Sequence, residues 1–217
     1  MPTTLITGAS GGIGYELAKL FARDRHNLVL VARSADKLGQ VGTELKTYGV
    51  TIKTIALDLA APHAPKFLFD QLQSDGTTIG ILVNNAGYGT FGDFAQMPEE
   101  EIRGQIDLNI TALTQLTRLF LPAMIARHSG RIMNVASTAG FQPGPLMAVY
   151  YATKAFVISF SEAIANELQS PASPSPASVP EPRTPASPPA PARKNLACSN
   201  NSARCPPRRS HSTAIAP

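Results

Sequence analysis

"TLITGASGGIGYELAKLF", residues 4–21, reads as a buried strand, a glycine-rich turn and a helix that begins near Ile13. The turn carries Gly8, Gly12 and Gly14. Glycine lets a backbone approach a phosphate closely, and the free N–H groups and positive dipole of a helix N-terminus attract its charge. An ordinary strand-to-helix turn would accept the same residues. Its place at the first such junction of the chain favours a dinucleotide-binding turn.

Working outward, short apolar runs alternate with amphipathic stretches. Strands are expected at 3–6, 27–31, 51–57, 79–83 and 131–135, each rich in Val, Ile and Leu. Helices are expected at 13–23, 35–48 and 65–73, in a long pair over 99–127, and from 149 to 168, all with apolar residues at helical spacing. Strands alternating with helices imply an α/β fold, a parallel sheet covered on both faces.

Composition divides the chain after Gln169. Twelve of the nineteen prolines lie beyond it, with six Lys or Arg against the single acid Glu181, whereas residues 1–169 hold thirteen bases against fourteen acids. The basic balance belongs to this tail, so it gives no nucleic-acid footprint on a folded surface. Residues 1–169 suffice for one domain with a sizeable core. Cys198 and Cys205 have no histidine at metal-ligand spacing, so neither a zinc site nor a disulfide framework is indicated. No leader segment and no run approaching eighteen apolar residues is seen, so no membrane span is expected and a cytoplasmic address is.

The spacing Gly-x-x-x-Gly-x-Gly, with "NNAG" at 84–87, "NVAS" at 134–137 and "YYATK" at 150–154, resembles the short-chain dehydrogenase/reductase family. The resemblance covers residues 3–169. It implies a Rossmann-like doubly wound sheet, hydride exchange with a nicotinamide cofactor, a small-molecule carbonyl or alcohol substrate, and a homo-oligomer. It implies cofactor contacts at Gly8, Ser10, Gly12, Ile13, Gly14, Asn85 and Gly87, and at Asp58 near the adenine. No metal is expected.

Tyr150 and Lys154 are four apart, which on a helix places them on one face. A phenol near its reference pKa of about 10 is a poor base at neutral pH, and a neighbouring ammonium favours the phenolate. By resemblance, Tyr150 exchanges a proton with the substrate oxygen, and Lys154 also bonds the nicotinamide ribose. Ser137, just past the strand at 131–135, can donate to the substrate oxygen, and as a plain alternative it caps a turn. Asn109 matches the family position that bends its helix and helps hold a water in a proton relay. Tyr151 competes with Tyr150, but spacing and resemblance favour Tyr150.

At the end of the second strand, Ala32 stands where relatives that use NAD place an acid, and Arg33 follows. A guanidinium there suits a ribose 2'-phosphate, so NADP(H) is expected; otherwise Arg33 is a surface residue before a helix capped by Ser34. Phe141, Met147, Tyr88 and Phe91 suggest an apolar pocket wall and a lipophilic ketone or 3-oxoacyl substrate.

After residue 169 the family pattern stops. A sixth strand, a Pro-Gly turn, a substrate loop and a seventh strand are expected but not found, and the Pro/Ala/Ser composition is expected to be disordered. Read one base out of frame near Gln169, the same codons admit an apolar run, Pro-Gly and a threonine-rich loop. A frame change that truncates a reductase domain is therefore expected, with aggregation and early proteolysis near Ser170. Two alternatives are a catalytically inactive remnant and an interaction arm using the polyproline-like "PPAPAR" at 188–193.

Overall fold

The computed structural model describes residues 3–169. The expected tail at 170–217, the frame change, the cut near Ser170 and the segment 188–193 lie outside the described residues.

Five parallel strands form one sheet in the order β3-β2-β1-β4-β5. They are β1 (Thr3–Thr7), β2 (Asn27–Ala32), β3 (Ile52–Ala56), β4 (Ile79–Asn84) and β5 (Arg131–Asn134). The helices are α1 (Gly12–Arg23), α2 (Ala35–Leu45), α3 (Ala64–Ser74), α4 (Glu99–Ile106), α5 (Leu113–Ala126) and α6 (Ala148–Gln169). This is the α/β, Rossmann-like doubly wound arrangement read from the sequence. The expected long pair over 99–127 is α4 and α5 joined through a π-helical turn, Asp107–Ala112.

Successive strand residues point to opposite sides, and helices cover both sides of the central strands β1, β2 and β4, whose residues are mostly buried on both faces. Leu5, Val29, Val31 and Ile55 pack with Leu68 and Leu72 of α3 and Leu116 and Phe120 of α5. Ile6, Leu28, Leu30 and Val83 pack with Ala18 and Ala22 of α1 and Leu38, Val41 and Leu45 of α2. On α1 the buried face is Gly14, Ala18 and Ala22, while Ile13 and Leu20 are 62% and 51% exposed. The small face lets α1 lie close to the sheet, which brings its N-terminus over the end of β1.

Among the described residues, β5 pairs only with β4, through Ile81↔Arg131 to Asn84↔Asn134. A groove of about 680 Å³ runs along it, lined in part by Leu121, Met124, Ile125, Ile132, Ile164 and Leu168. Met133 on this edge is exposed. An unpaired apolar edge is a template for another strand. The chain is expected to self-associate as its concentration rises, and Met133→Lys to lower its light scattering while far-ultraviolet circular dichroism stays the same. Equal scattering from both proteins would acquit the edge.

Candidate active site

The strand order reverses between β1 and β4, and in open parallel sheets the crevice beyond the C-terminal ends of such strands binds ligands. Thr7 stitches the two ends together. Its hydroxyl donates to the Val83 carbonyl at 3.2 Å and accepts from the N–H groups of Asn85 and Ala86, each at 3.0 Å. The Asn85 side-chain amide donates to the carbonyls of Thr7 (2.8 Å) and Gly8 (3.3 Å), so Asn85 shapes the turn as well as lining the crevice.

The glycines of the turn serve different ends. Gly8 and Gly12 have φ of 68° and 54°, the left-handed region that favours glycine. At Gly14 an added Cβ would lie 2.3 Å from the Gly8 carbonyl oxygen and 2.5 Å from Asn85 Nδ2. There the glycine is required by contact.

Two cavities open from the turn and share Gly8, Ala86 and Gly87. One, of about 460 Å³, is lined by residues that include Ser10, Arg33, Lys37, Asp58 and Tyr88. Arg33 forms no salt bridge among the described residues. Ser34 does cap α2, its Oγ accepting from the Lys37 N–H at 3.3 Å. Asp58 accepts from the Ala60 N–H at 3.0 Å, which fixes its carboxylate at the rim. The other cavity, of about 280 Å³, is lined by Gly12, Ile13 and Gly14 and, across from them, by Val135, Tyr150 and Lys154. A glycine cradle between two joined cavities, with a guanidinium that has no ion-pair partner among the described residues in one and a phenol and an amine in the other, fits a dinucleotide laid across β1 and β4.

Lys154 is buried, and its ammonium donates to the Val135 carbonyl at 2.9 Å. It stands 5.8 Å from the centroid of the Tyr150 ring. Burial pushes its pKa below the usual lysine range, because a charge is poorly solvated there. Asn109, also buried, lies inside the π-helical turn. Its amide donates to the Tyr88 carbonyl (2.8 Å) and to Thr153 Oγ1 (3.0 Å), and its oxygen accepts from the Tyr88 N–H (3.1 Å). Thr153 in turn donates to the Tyr150 carbonyl at 2.7 Å. The loop after β4 is thereby tied to the helix that carries Tyr150.

Ser137 follows Ala136, which lines the second cavity, and starts the 3-10 turn Thr138–Phe141, with its Oγ accepting from the Ala139 N–H at 3.2 Å. It caps a turn, and that bond leaves its own proton free for an outside acceptor. Tyr151 is separated from the cradle. It lines a different, largely apolar hollow with Pro143, Gly144 and Pro145.

One expectation for the pocket wall needs correction. Tyr88 lines the cavity that holds Arg33 and Asp58, and its hydroxyl lies 2.4 Å from where a Cβ on Gly104 would be. Burial, followed by the Glu101 carboxylate, raises its pKa. Phe91 and Phe141 are 71% and 78% exposed, so they close no wall. Thr7 and Thr153 escaped sequence reading. Thr153 lay within sight, as a polar residue three after Tyr150 in an apolar helix.

The short chain dehydrogenase family matches residues 2–172, and the chain belongs to it. It is 38% identical over 173 residues to the human very-long-chain 3-oxoacyl-CoA reductase, covering 76% of this chain and 54% of that one. The chain thus spans about half the length of the curated relatives it matches. Among solved structures it is similar to a short-chain dehydrogenase from Sphingobium yanoikuyae in complex with NADPH, at 42% identity and a TM-score of 0.73, covering 77% of this chain and 66% of that one. A bulky-bulky ketone specific alcohol dehydrogenase from Comamonas testosteroni is 40% identical with a TM-score of 0.73, covering 77% and 68%.

Proposed function

We propose that this chain is built for NADP(H)-dependent interconversion of a carbonyl and a secondary alcohol. The observation that carries this reading is the placement of Tyr150 and Lys154 on the wall of the cavity opposite the glycine turn. When bound, the reduced nicotinamide supplies a hydride to the carbonyl carbon. The Tyr150 hydroxyl delivers the proton to the carbonyl oxygen, which completes the alcohol. The Lys154 ammonium favours the phenolate left behind. Ser137 orients the same oxygen with the proton its cap contact leaves free. Asn109 holds the turn that the resemblance associates with return of the proton through water. Turnover of NADPH with a panel of ketones and 3-oxoacyl thioesters tests the reading, and no turnover with any of them would count against it.

The preference for NADP(H) rests on Arg33. Its guanidinium has no carboxylate partner among the described residues and lines the cavity on the β2 side of the turn. Arg33→Ala is expected to weaken NADPH relative to NADH by about 1.5–3 kcal/mol, the range of a hydrogen bond to a charged group. Equal weakening of both cofactors, measured by fluorescence titration, would make Arg33 a structural residue.

A lipophilic ketone or 3-oxoacyl substrate is supported by the names of the relatives and by the exposed side chains of Phe91 and Phe141. Homo-oligomerisation is supported by the exposed Phe156 of α6, stacked on Phe160 with ring centroids 5.7 Å apart. A second reading, a catalytically inactive remnant, is favoured by the edge of β5, which has no second strand beside it among the described residues. Turnover measured on this chain and on a version with the reading frame shifted after Gln169 separates the two.

A further inference from the structure

Tyr150 sits in the first turn of α6, and the loop after β4 meets the root of its side chain at Gly89. A Cβ on Gly89 would lie 2.6 Å from Cγ of Tyr150, 2.7 Å from Cδ2 and 2.9 Å from Cβ. Carbon atoms pack best at about 3.5–4.0 Å, so an added methyl group demands a movement of roughly 1 Å. The atoms it meets are at the base of the ring, so swinging the phenol tip does not make room.

Gly89 does not owe its presence to backbone conformation, because it is not among the glycines with positive φ. Nor is the loop free to retreat. Asn109 grips the backbone of Tyr88 through both its N–H and its carbonyl, and holds Thr153, which bonds the Tyr150 carbonyl. Loop and helix are clamped on one side of the contact, so relief comes from turning Tyr150 about its Cα–Cβ bond, which carries Cγ and the whole ring off the loop, with a small shift of its Cβ.

We propose that Gly89 is a positioning residue for Tyr150: the missing side chain at 89 seats the phenol against the loop and aims its hydroxyl into the cavity that Lys154 lines. The catalytic consequence rests on Tyr150 being the proton donor; the contact itself does not.

The test uses the full chain and Gly89→Ala. Nitration of Tyr150 by tetranitromethane, followed by peptide mass spectrometry with Tyr15 and Tyr48 as internal references, reads the seating of the ring without activity. Gly89→Ala is expected to speed nitration of Tyr150 several-fold. Gly92→Ala, whose added Cβ would meet nothing within 4 Å, is expected to leave that rate unchanged. In turnover, Gly89→Ala is expected to lower kcat about 100-fold, as a misplacement near 1 Å does, with NADPH binding retained.

Should Gly89→Ala destabilise the chain, the same substitution beside Tyr150→Gly is expected to remove most of that loss, since the pair then no longer collides. An unchanged or slower nitration rate, or a stability loss undiminished beside Tyr150→Gly, overturns the proposal. If Gly89→Ala speeds nitration but turnover survives Tyr150→Phe, the contact stands and the assignment of the proton donor falls.

Discussion

Tyr150→Phe is expected to lower kcat by about 10²–10⁴-fold, the usual contribution of a positioned general acid or base, while NADPH still binds. The substitution removes one oxygen and leaves the ring against Gly89 and Tyr151. The bonds that shape the glycine turn run through Thr7 and Asn85, and the Lys154 ammonium is held by the Val135 carbonyl, so none of them depends on the phenol. Loss should therefore appear in turnover and spare the fluorescence titration of NADPH. Wild-type turnover in the phenylalanine variant would mean that another group donates the proton. Tyr151 is a poor replacement, since it lines a different hollow, with Pro143, Gly144 and Pro145, and not the cavity of Lys154.

Gly14→Ala has the largest expected effect on the fold itself. The new methyl group falls 2.3 Å from a backbone oxygen and 2.5 Å from the Asn85 amide that bonds that part of the turn. A backbone atom cannot turn aside as a flexible side chain does, so α1 must lift from the end of β1. Overpacking of this kind costs about 3 kcal/mol at the upper end of its usual range. At about 2–4 °C per kcal/mol for a chain of this size, the midpoint of thermal unfolding should fall by roughly 6–12 °C. NADPH affinity should fall with it, because the N–H groups at the start of α1 no longer line up on the crevice. Gly39→Ala inside α2, where an added Cβ meets nothing within 4 Å, is the matched control: it should leave NADPH affinity unchanged and keep or slightly raise the midpoint, since alanine favours a helix interior over glycine. A Gly14→Ala protein that melts and binds like the parent would show that the close approach of α1 to β1 is not needed.

The five strands and six helices of the described residues were legible because each carries its own period of apolar residues, and a parallel sheet followed from their alternation, while the strand order came from the structure. Most boundaries moved by a residue or two, as at β4, which continues to Asn84, while the helix expected at 35–48 ends at Leu45 and closes in a 3-10 turn, Lys46–Tyr48. The pairing of Tyr150 with Lys154 was legible for the same local reason, a spacing of four on one helix. The capping role of Ser34 was legible too, since a serine before a helical run satisfies an N–H group close to it in sequence.

Contacts between residues far apart in the chain were decided only by tertiary structure. Which face of α1 is buried could not be told from apolar spacing, since Gly14, Ala18 and Ala22 go inside while Ile13 and Leu20 stay out. Closeness to the sheet outweighs burial of the larger side chains there. Tyr88 joins the Arg33 cavity, Asn109 clamps a loop to a helix forty-four residues away, and Gly89 meets Tyr150 across sixty-one positions of chain. Local sequence determines what each segment becomes, because propensity and periodicity act over a few residues. The fold determines which segments meet, because packing and hydrogen bonding act through space, and the candidate site is made almost entirely of such meetings.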